Sequence, residues 1–271
     1  MMEGVHMRKP FFVLIILLAV TGIAFAQGGE GKRPLRPYEY GTVTIDNFST
    51  KAGLAPVVFD HWIHRSKYTC RLCHVDLGFA MKNNGSGITA ADNMKGSFCG
   101  TCHNGTMVYG TEKIFQACTK NFTKSDVKRC ERCHQTGRNT KKQQAFASFA
   151  QNLPKGRFGN GINWEKSESM GMIKLIDYIE GISFKMEQLP VQKDFVLTSK
   201  IGGMPDIIFS HKKHAVWNGC ELCHPDIFTV KKGGTKYSMT DMFEGKYCGV
   251  CHDTVAFRQI DCQRCHSKPV Q

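Results

Sequence analysis

Long apolar runs are scarce in this 271-residue chain; after Phe11 to Val20 there is no second one. A membrane-spanning helix needs about 20 apolar residues, so the shortness of that run argues against a retained anchor. Arg8 and Lys9 precede it, and Ala24-Phe25-Ala26 followed by Gln27 close it. A basic start, a short apolar middle and an A-x-A site make residues 1–26 a secretory signal peptide, counted from Met1 or from Met7, with the mature chain starting at Gln27. A cysteine directly after Ala26 is lacking, which argues against a lipid-anchored N-terminus. Isolated histidines are lacking as well: apart from His6, every one of the eleven belongs to one of two recurring motifs.

Cysteine, by contrast, is plentiful. Thirteen in an exported chain would ordinarily suggest disulfides. The spacing points elsewhere, because twelve of them fall in six C-x-x-C-H units. These are Cys70/Cys73/His74, Cys99/Cys102/His103 and Cys130/Cys133/His134, then, after a long gap, Cys220/Cys223/His224, Cys248/Cys251/His252 and Cys262/Cys265/His266. Chance would supply roughly 0.03 copies in such a chain. Two cysteines at this spacing form thioethers to the two vinyl groups of one haem, and the histidine after the second lies under the iron as proximal ligand. Zinc ribbons do not require that histidine, thioredoxin-like motifs occur once rather than six times, and disulfides need no histidine at all. The expected cofactor set is six covalently bound haem c groups.

The remaining mature histidines are His61, His64, His211 and His214, all in two copies of Phe-x-His-x-x-His: FDHWIH at 59–64 and FSHKKH at 209–214. Each copy ends six residues before a C-x-x-C-H cysteine. Histidines three apart on a helical turn project from nearly one face, so a pair can reach two different irons.

These motifs resemble the trihaem cytochrome c7 family, a relative of the tetrahaem c3 cytochromes, in which F-x-H-x-x-H precedes three C-x-x-C-H sites. The resemblance covers about 80 residues in each half. It implies small multihaem c7/c3-like modules, mostly irregular, with short helices and a small N-terminal two-stranded sheet per module. It further implies His61 as distal ligand of the Cys70/Cys73 haem, His64 of the Cys99/Cys102 haem, His211 of the Cys220/Cys223 haem and His214 of the Cys248/Cys251 haem. The family takes the third distal ligand from a histidine just ahead of the second C-x-x-C-H, and this chain has none there. Some multidomain relatives use methionine, so the expected ligands are Met94 in the first half and Met242 or Met239 in the second. The registers differ: Met94 stands five residues before its cysteine and Met242 six. Packing of these methionines against porphyrin is the alternative.

The repeat extends upstream, where STKAGLAPVVFDHWIH parallels TSKIGGMPDIIFSHKKH and where Val57-Val58-Phe59 and Ile207-Ile208-Phe209 predict short strands. The domain plan is therefore module 1 over 38–140, a haem-free connecting segment over 141–193 and module 2 over 194–271. In the connector, KKQQAFASFAQNL predicts a short helix with Phe146, Phe149 and Ala150 on one face, and LIDYIEGISF fits a strand or a helix edge equally. The segment either spaces the modules or covers their joint. The halves differ where 26 residues separate His103 from Cys130 but nine separate His252 from Cys262. The longer insertion holds Cys118, read first as an unpaired, incidental cysteine, with an intermolecular disulfide or a relic of a moved attachment site as alternatives. Trp62 and Trp217, beside the ligand histidines, are expected to pack at haem edges.

The formal charge is +13. Propionates and ferric cores of six haems would add roughly −6, so much of the basic excess compensates cofactor charge and nucleic-acid binding is a poor explanation. The expected function is electron transfer between periplasmic or membrane redox partners, with other c-type cytochromes or a membrane quinol-oxidising complex as partners. The resemblance adds anaerobic respiration. Cell-surface or extracellular placement is the variant location. A multihaem reductase using an open third haem and a subunit of an extracellular haem wire are the rival functions; an enzyme is not expected. Oligomeric state is not legible.

Overall fold

The computed structural model describes residues 34–121, 123–136, 139–187, 190 and 193–268. The signal peptide expected over 1–26 lies outside them.

Each half begins with a ladder made by its β-branched stretch. β1 (Thr42–Ile45) pairs antiparallel with β2 (Val57–Asp60), Thr42 opposite Asp60 and Ile45 opposite Val57. β2 runs straight into a short helix, α1 (His61–Arg65), so the first ligand-motif histidine stands at the strand-to-helix turn. The first half continues through α2 (Ala90–Met94), α3 (Cys99–Cys102), a hairpin of β3 (Val108–Tyr109) with β4 (Glu112–Lys113), and α4 (Val127–Cys130). The hairpin lies in the 26-residue insertion between His103 and Cys130.

The connector contributes α5 (Thr140–Ala150) and α6 (Trp164–Ser169), capped by Asn139 and Asn163, whose side-chain oxygens accept from Lys142 N and Lys166 N. Such caps satisfy backbone donors that have no partner inside the helix. LIDYIEGISF forms neither strand nor helix: Ile176 makes an isolated parallel bridge to Tyr68, with Ile176 N donating to Lys67 O (2.8 Å) and Thr69 N to Ile176 O (3.1 Å).

The second half repeats the plan with β5 (Phe195–Leu197), β6 (Asp206–Phe209), α7 (His211–Asn218), α8 (Met239–Phe243), α9 (Cys262–Cys265) and β7 (His266–Lys268). Here the sheet is three-stranded, order β5-β6-β7, rather than two-stranded. The nine-residue link lets the last C-x-x-C-H fold straight back beside β6. In the first half the same return is an isolated bridge, Val57 to His134, with Val58 N donating to Cys133 O (2.8 Å).

The connector supplies the side-chain core. Phe146, Ala150, Leu153, Ile162, Trp164 and Ile173 form one buried cluster with Tyr38 and Trp62 from the first half and Trp217 from the second. Trp62 packs edge-on against Phe146 (5.2 Å between ring centres), and Trp164 packs at right angles to Trp217 (6.4 Å). Burying aromatic rings is strongly stabilising, and edge-to-face pairs add about 0.5–1.5 kcal/mol. Trp62 thus sits in the joint rather than at a haem edge; Trp217 belongs to the joint and also lines the central cavity. A buried ionic node ties the same three parts. Arg71, with a side chain 2% exposed, pairs with Asp76 (3.1 Å), with Asp177 of the connector (3.4 Å) and with Glu221 of the second half (3.8 Å), and donates to Phe184 O (2.9 Å). Gly219, at φ +63, is required beside it, since a Cβ there would lie 2.6 Å from Arg71 Cδ.

Candidate cofactor-binding site

The phenylalanine of each ligand motif has a clear task. Phe59 meets His61 edge-on (4.8 Å, 88°) and lies against the face of His64 (4.5 Å, 31°). Phe209 does the same for His211 (5.0 Å, 86°) and His214 (4.5 Å, 21°). One ring at the end of a strand orients two imidazoles on the following helix.

The imidazoles are also oriented by the main chain. Nδ1 of His61 donates to Gly41 O (2.7 Å), of His74 to Phe79 O (2.8 Å), of His134 to Ala55 O (2.6 Å), of His214 to Ser210 O (2.7 Å), of His224 to Phe228 O (2.7 Å) and of His266 to Pro205 O (2.6 Å). Longer bonds hold His103 to Phe115 O (3.3 Å), His211 to Lys193 O (3.2 Å) and His252 to Phe257 O (3.2 Å). His64 faces the equivalent carbonyl, Asp60 O, without a hydrogen bond of normal geometry. A proton on Nδ1 leaves the Nε2 lone pair free, which is the tautomer and orientation of a metal-bound histidine. Burial reinforces it, pulling the pKa of His61 and His252 down to about 4 and of His64 to about 3, and lowering His74, His103 and His214. At neutral pH these rings are uncharged and able to ligate.

Three pairs of rings face each other at nearly one separation. His61 and His74 are 6.5 Å apart, His64 and His103 6.2 Å, and His214 and His252 6.3 Å, centre to centre. Two imidazoles holding one metal from opposite sides, each with a bond of about 2 Å to a nitrogen about 1 Å from its ring centre, fall about 6 Å apart. Among the described residues no three His, Cys, Asp or Glu converge on one point as a bare-ion site would require; the donors meet as pairs. The same His61, His64 and His214 line a cavity of ≈ 1520 Å³ together with attachment cysteines of both halves, from Cys70 and Cys73 to Cys248 and Cys251. A single-ligand pocket is about 300–1,000 Å³. All thirteen cysteines are free of disulfides, and burial pushes the Cys73, Cys99 and Cys251 thiols up to about 12. Thioether sulfurs, which carry no proton, suit those dry positions. Paired cysteines, a following imidazole and a facing imidazole fit a haem, whose iron supplies one-electron redox chemistry when bound.

The second motif of each half also shows backbone detail. Phe98 and Tyr247, just before Cys99 and Cys248, adopt positive φ (49° and 52°). A Cβ on Gly100 would sit 1.9 Å from Asn93 O, and one on Gly249 2.0 Å from Met242 O. Thr89 with Asp92 and Ser238 with Asp241 form matching capping boxes at the start of α2 and α8. These correspondences align Asn93 with Met242 and Met94 with Phe243. Met242 is 8% exposed and lines the cavity; Met94 is 36% exposed and does not. Met239 is half-buried on the same short helix as Met242. Cys118 Sγ lies 4.0 Å from Asn93 Nδ2. The methionines could be named from sequence, but their inequivalence could not. The two C-G-x-C-H motifs, which alone carry a glycine there, were the available sign of the close approach.

A chain with six such sites in two repeated halves is a multihaem c-type cytochrome. The profile of "Cytochrome c7 and related cytochrome c" matches residues 57–135 and 207–267, just over half of the chain, and the protein belongs to that family. Among solved structures it is similar to a c7-type three-heme cytochrome domain, with 38% identity over 28% of this chain and 93% of that one (TM-score 0.26). It is also similar to the C-terminal hexaheme fragment of GSU1996, with 24% identity over 83% of this chain and 96% of that one (TM-score 0.24). The dodecaheme cytochrome c GSU1996 matches at 26% identity over 83% of this chain and 74% of that one (TM-score 0.24). No curated protein matches the chain. No helix among the described residues is long and apolar enough to cross a membrane.

Proposed function

We propose that the chain is an exported electron carrier built from two trihaem modules, 38–140 and 194–271, held together by the 141–193 connector. The observation that carries this reading is the set of three facing imidazole pairs at 6.2–6.5 Å. The thioether sites are the six cysteine pairs, with His74, His103, His134, His224, His252 and His266 as proximal ligands. His61, His64, His211 and His214 are the distal ligands of the first and second haem in each half. An iron held by two neutral imidazoles has no open position for substrate, so its chemistry is restricted to accepting and releasing electrons. The chain's own contribution is to fix ring orientation through main-chain carbonyls and to keep water out with apolar walls.

The third haems divide. In the second half Met242, buried and at the cavity wall, is the sixth ligand, with Met239 as its neighbour on the helix. In the first half Asn93 takes the place of Met242 while Met94 is turned toward solvent, so this haem is the candidate for an open position. That asymmetry favours a second activity, binding of a small exogenous ligand at one haem. Carbon monoxide titration of the reduced holoprotein tests both: the reading predicts binding at no more than one haem per chain. Binding at three or more would refute the bis-imidazole assignment.

Export through residues 1–26 predicts a mature protein starting at Gln27 in the periplasm, to be checked by N-terminal sequencing; a retained Met1 or Met7 would contradict it. Lys124, Lys128, Arg132 and Lys141 are exposed around the Cys130/Cys133 site. This basic rim would steer an acidic partner, such as another c-type cytochrome or a membrane quinol-oxidising complex of anaerobic respiration.

A further inference from the structure

Arg65 ends α1, one residue after His64, at the joint of the two halves. Its guanidinium lies in the corner formed by two perpendicular indoles, 4.4 Å from the centre of Trp164 and 4.9 Å from that of Trp217. Nη1 donates to Val255 O of the second half, and Nε is buried without a partner. Among the described residues no carboxylate pairs with it. The contrast with Arg71, which holds three carboxylates, shows that the fold supplies counter-charges at this joint where it needs them. Arg65 instead faces the central cavity. Cys70 of the first half and Cys251 of the second lie within its electrostatic reach, and Cys70 and Cys223 lie within that of Cys251. Attachment sites from both modules therefore converge on this cation.

A buried cation left without a counter-anion is strongly destabilising, and a guanidinium presents a planar fork suited to a carboxylate. The haem brings carboxylates with it. We propose that Arg65 is the binding site for a haem propionate at the joint between the modules, so that one side chain, held against Trp164 and Trp217, anchors a cofactor and sets its potential. This rests on the six-haem reading given above. The two indoles add cation–π attraction from adjacent sides, and Nε remains a donor without a protein partner. Removing the positive charge would leave the propionate uncompensated near the iron, which favours the ferric state.

The test uses the full-length holoprotein with Arg65→Gln and Arg65→Lys. Haem content is measured first by pyridine haemochrome; fewer than six haems in the unaltered protein refutes the underlying reading independently of Arg65. Spectroelectrochemical titration then reads the potentials. The expected result is a downward shift of one or two of the six midpoints in the Gln variant, largely restored in the Lys variant. Unchanged midpoints in the Gln variant, or equal shifts in both variants, would reduce Arg65 to a packing residue. If neither variant loads its haems, a structure of the unaltered holoprotein decides: a propionate oxygen within hydrogen-bond distance of the guanidinium supports the site, and its absence overturns it.

Discussion

At the scale of single residues, two glycines and a set of imidazoles govern the sites. Gly100 and Gly249 let the second C-x-x-C-H turn press against a main-chain carbonyl, at a distance no side chain tolerates. Gly249→Ala should therefore destabilise the holoprotein by about 1–3 kcal/mol, the usual range for forced overpacking. Gly202, with nothing within 4 Å of its would-be Cβ, serves as the control; its replacement by Ala should be neutral or slightly stabilising in the same thermal melt. The buried histidines make a separate prediction. Folded-state pKa values of about 4 for His61 and about 3 for His64 lie below the ordinary 6.5, so the unfolded chain binds more protons between them. Ligation to iron would require the same neutral rings, so the stability they confer is complete above about pH 6.5 and declines as pH falls below it. Unfolding midpoints measured from pH 7 to pH 4 should drop steadily; a flat profile would contradict the burial of these rings in their neutral form.

At the scale of elements, the motif Phe-x-His-x-x-His works because a strand ends where a helix begins. The β-branched residues before Phe59 and Phe209 commit the chain to extended structure, and the helical turn then sets two rings side by side. This much was legible in the sequence, as was α5 with Phe146 and Ala150 on its buried face, because both depend on neighbours close along the chain. The role of the connector was not. LIDYIEGISF turns on itself at Ile179 to Ser183 and, among the described residues, finds its β-bridge at Tyr68, more than 100 residues away. Trp62 reads as a haem-edge residue from its position beside His61, yet it is captured by Phe146 and Phe149 of the connector. The Met94 and Met242 registers looked one residue apart, and the matched capping boxes show them to be different positions. Phe146→Ala should cost about 3–5 kcal/mol by opening the shared core. Phe184→Ala, at a side chain 74% exposed, should cost within about 0.5 kcal/mol in the same denaturation experiment. Similar losses for the two would mean that the connector does not form the core.

At the scale of the whole molecule, two repeats that share a plan are fastened by unlike devices: an aromatic cluster, the Arg71 node and direct bonds such as Tyr40 OH to Ala256 O (2.7 Å). Arg71→Met removes one partner of a buried pair and leaves Asp76, whose side chain is 3% exposed, without its cation. The expected loss is about 3–5 kcal/mol, read as a lowered unfolding midpoint; an unchanged midpoint would exclude the node as a fastening. The basic excess of the chain also acts on the whole molecule, since the carboxylates of six haems would offset charges that look surplus in the sequence. The central claim is that paired imidazoles hold most of the irons. It is tested most directly by spin quantitation in the EPR spectrum of the fully oxidised holoprotein. The account predicts that at least four of six ferric haems per chain are low-spin with bis-imidazole signals; a spectrum dominated by high-spin ferric haem would contradict it.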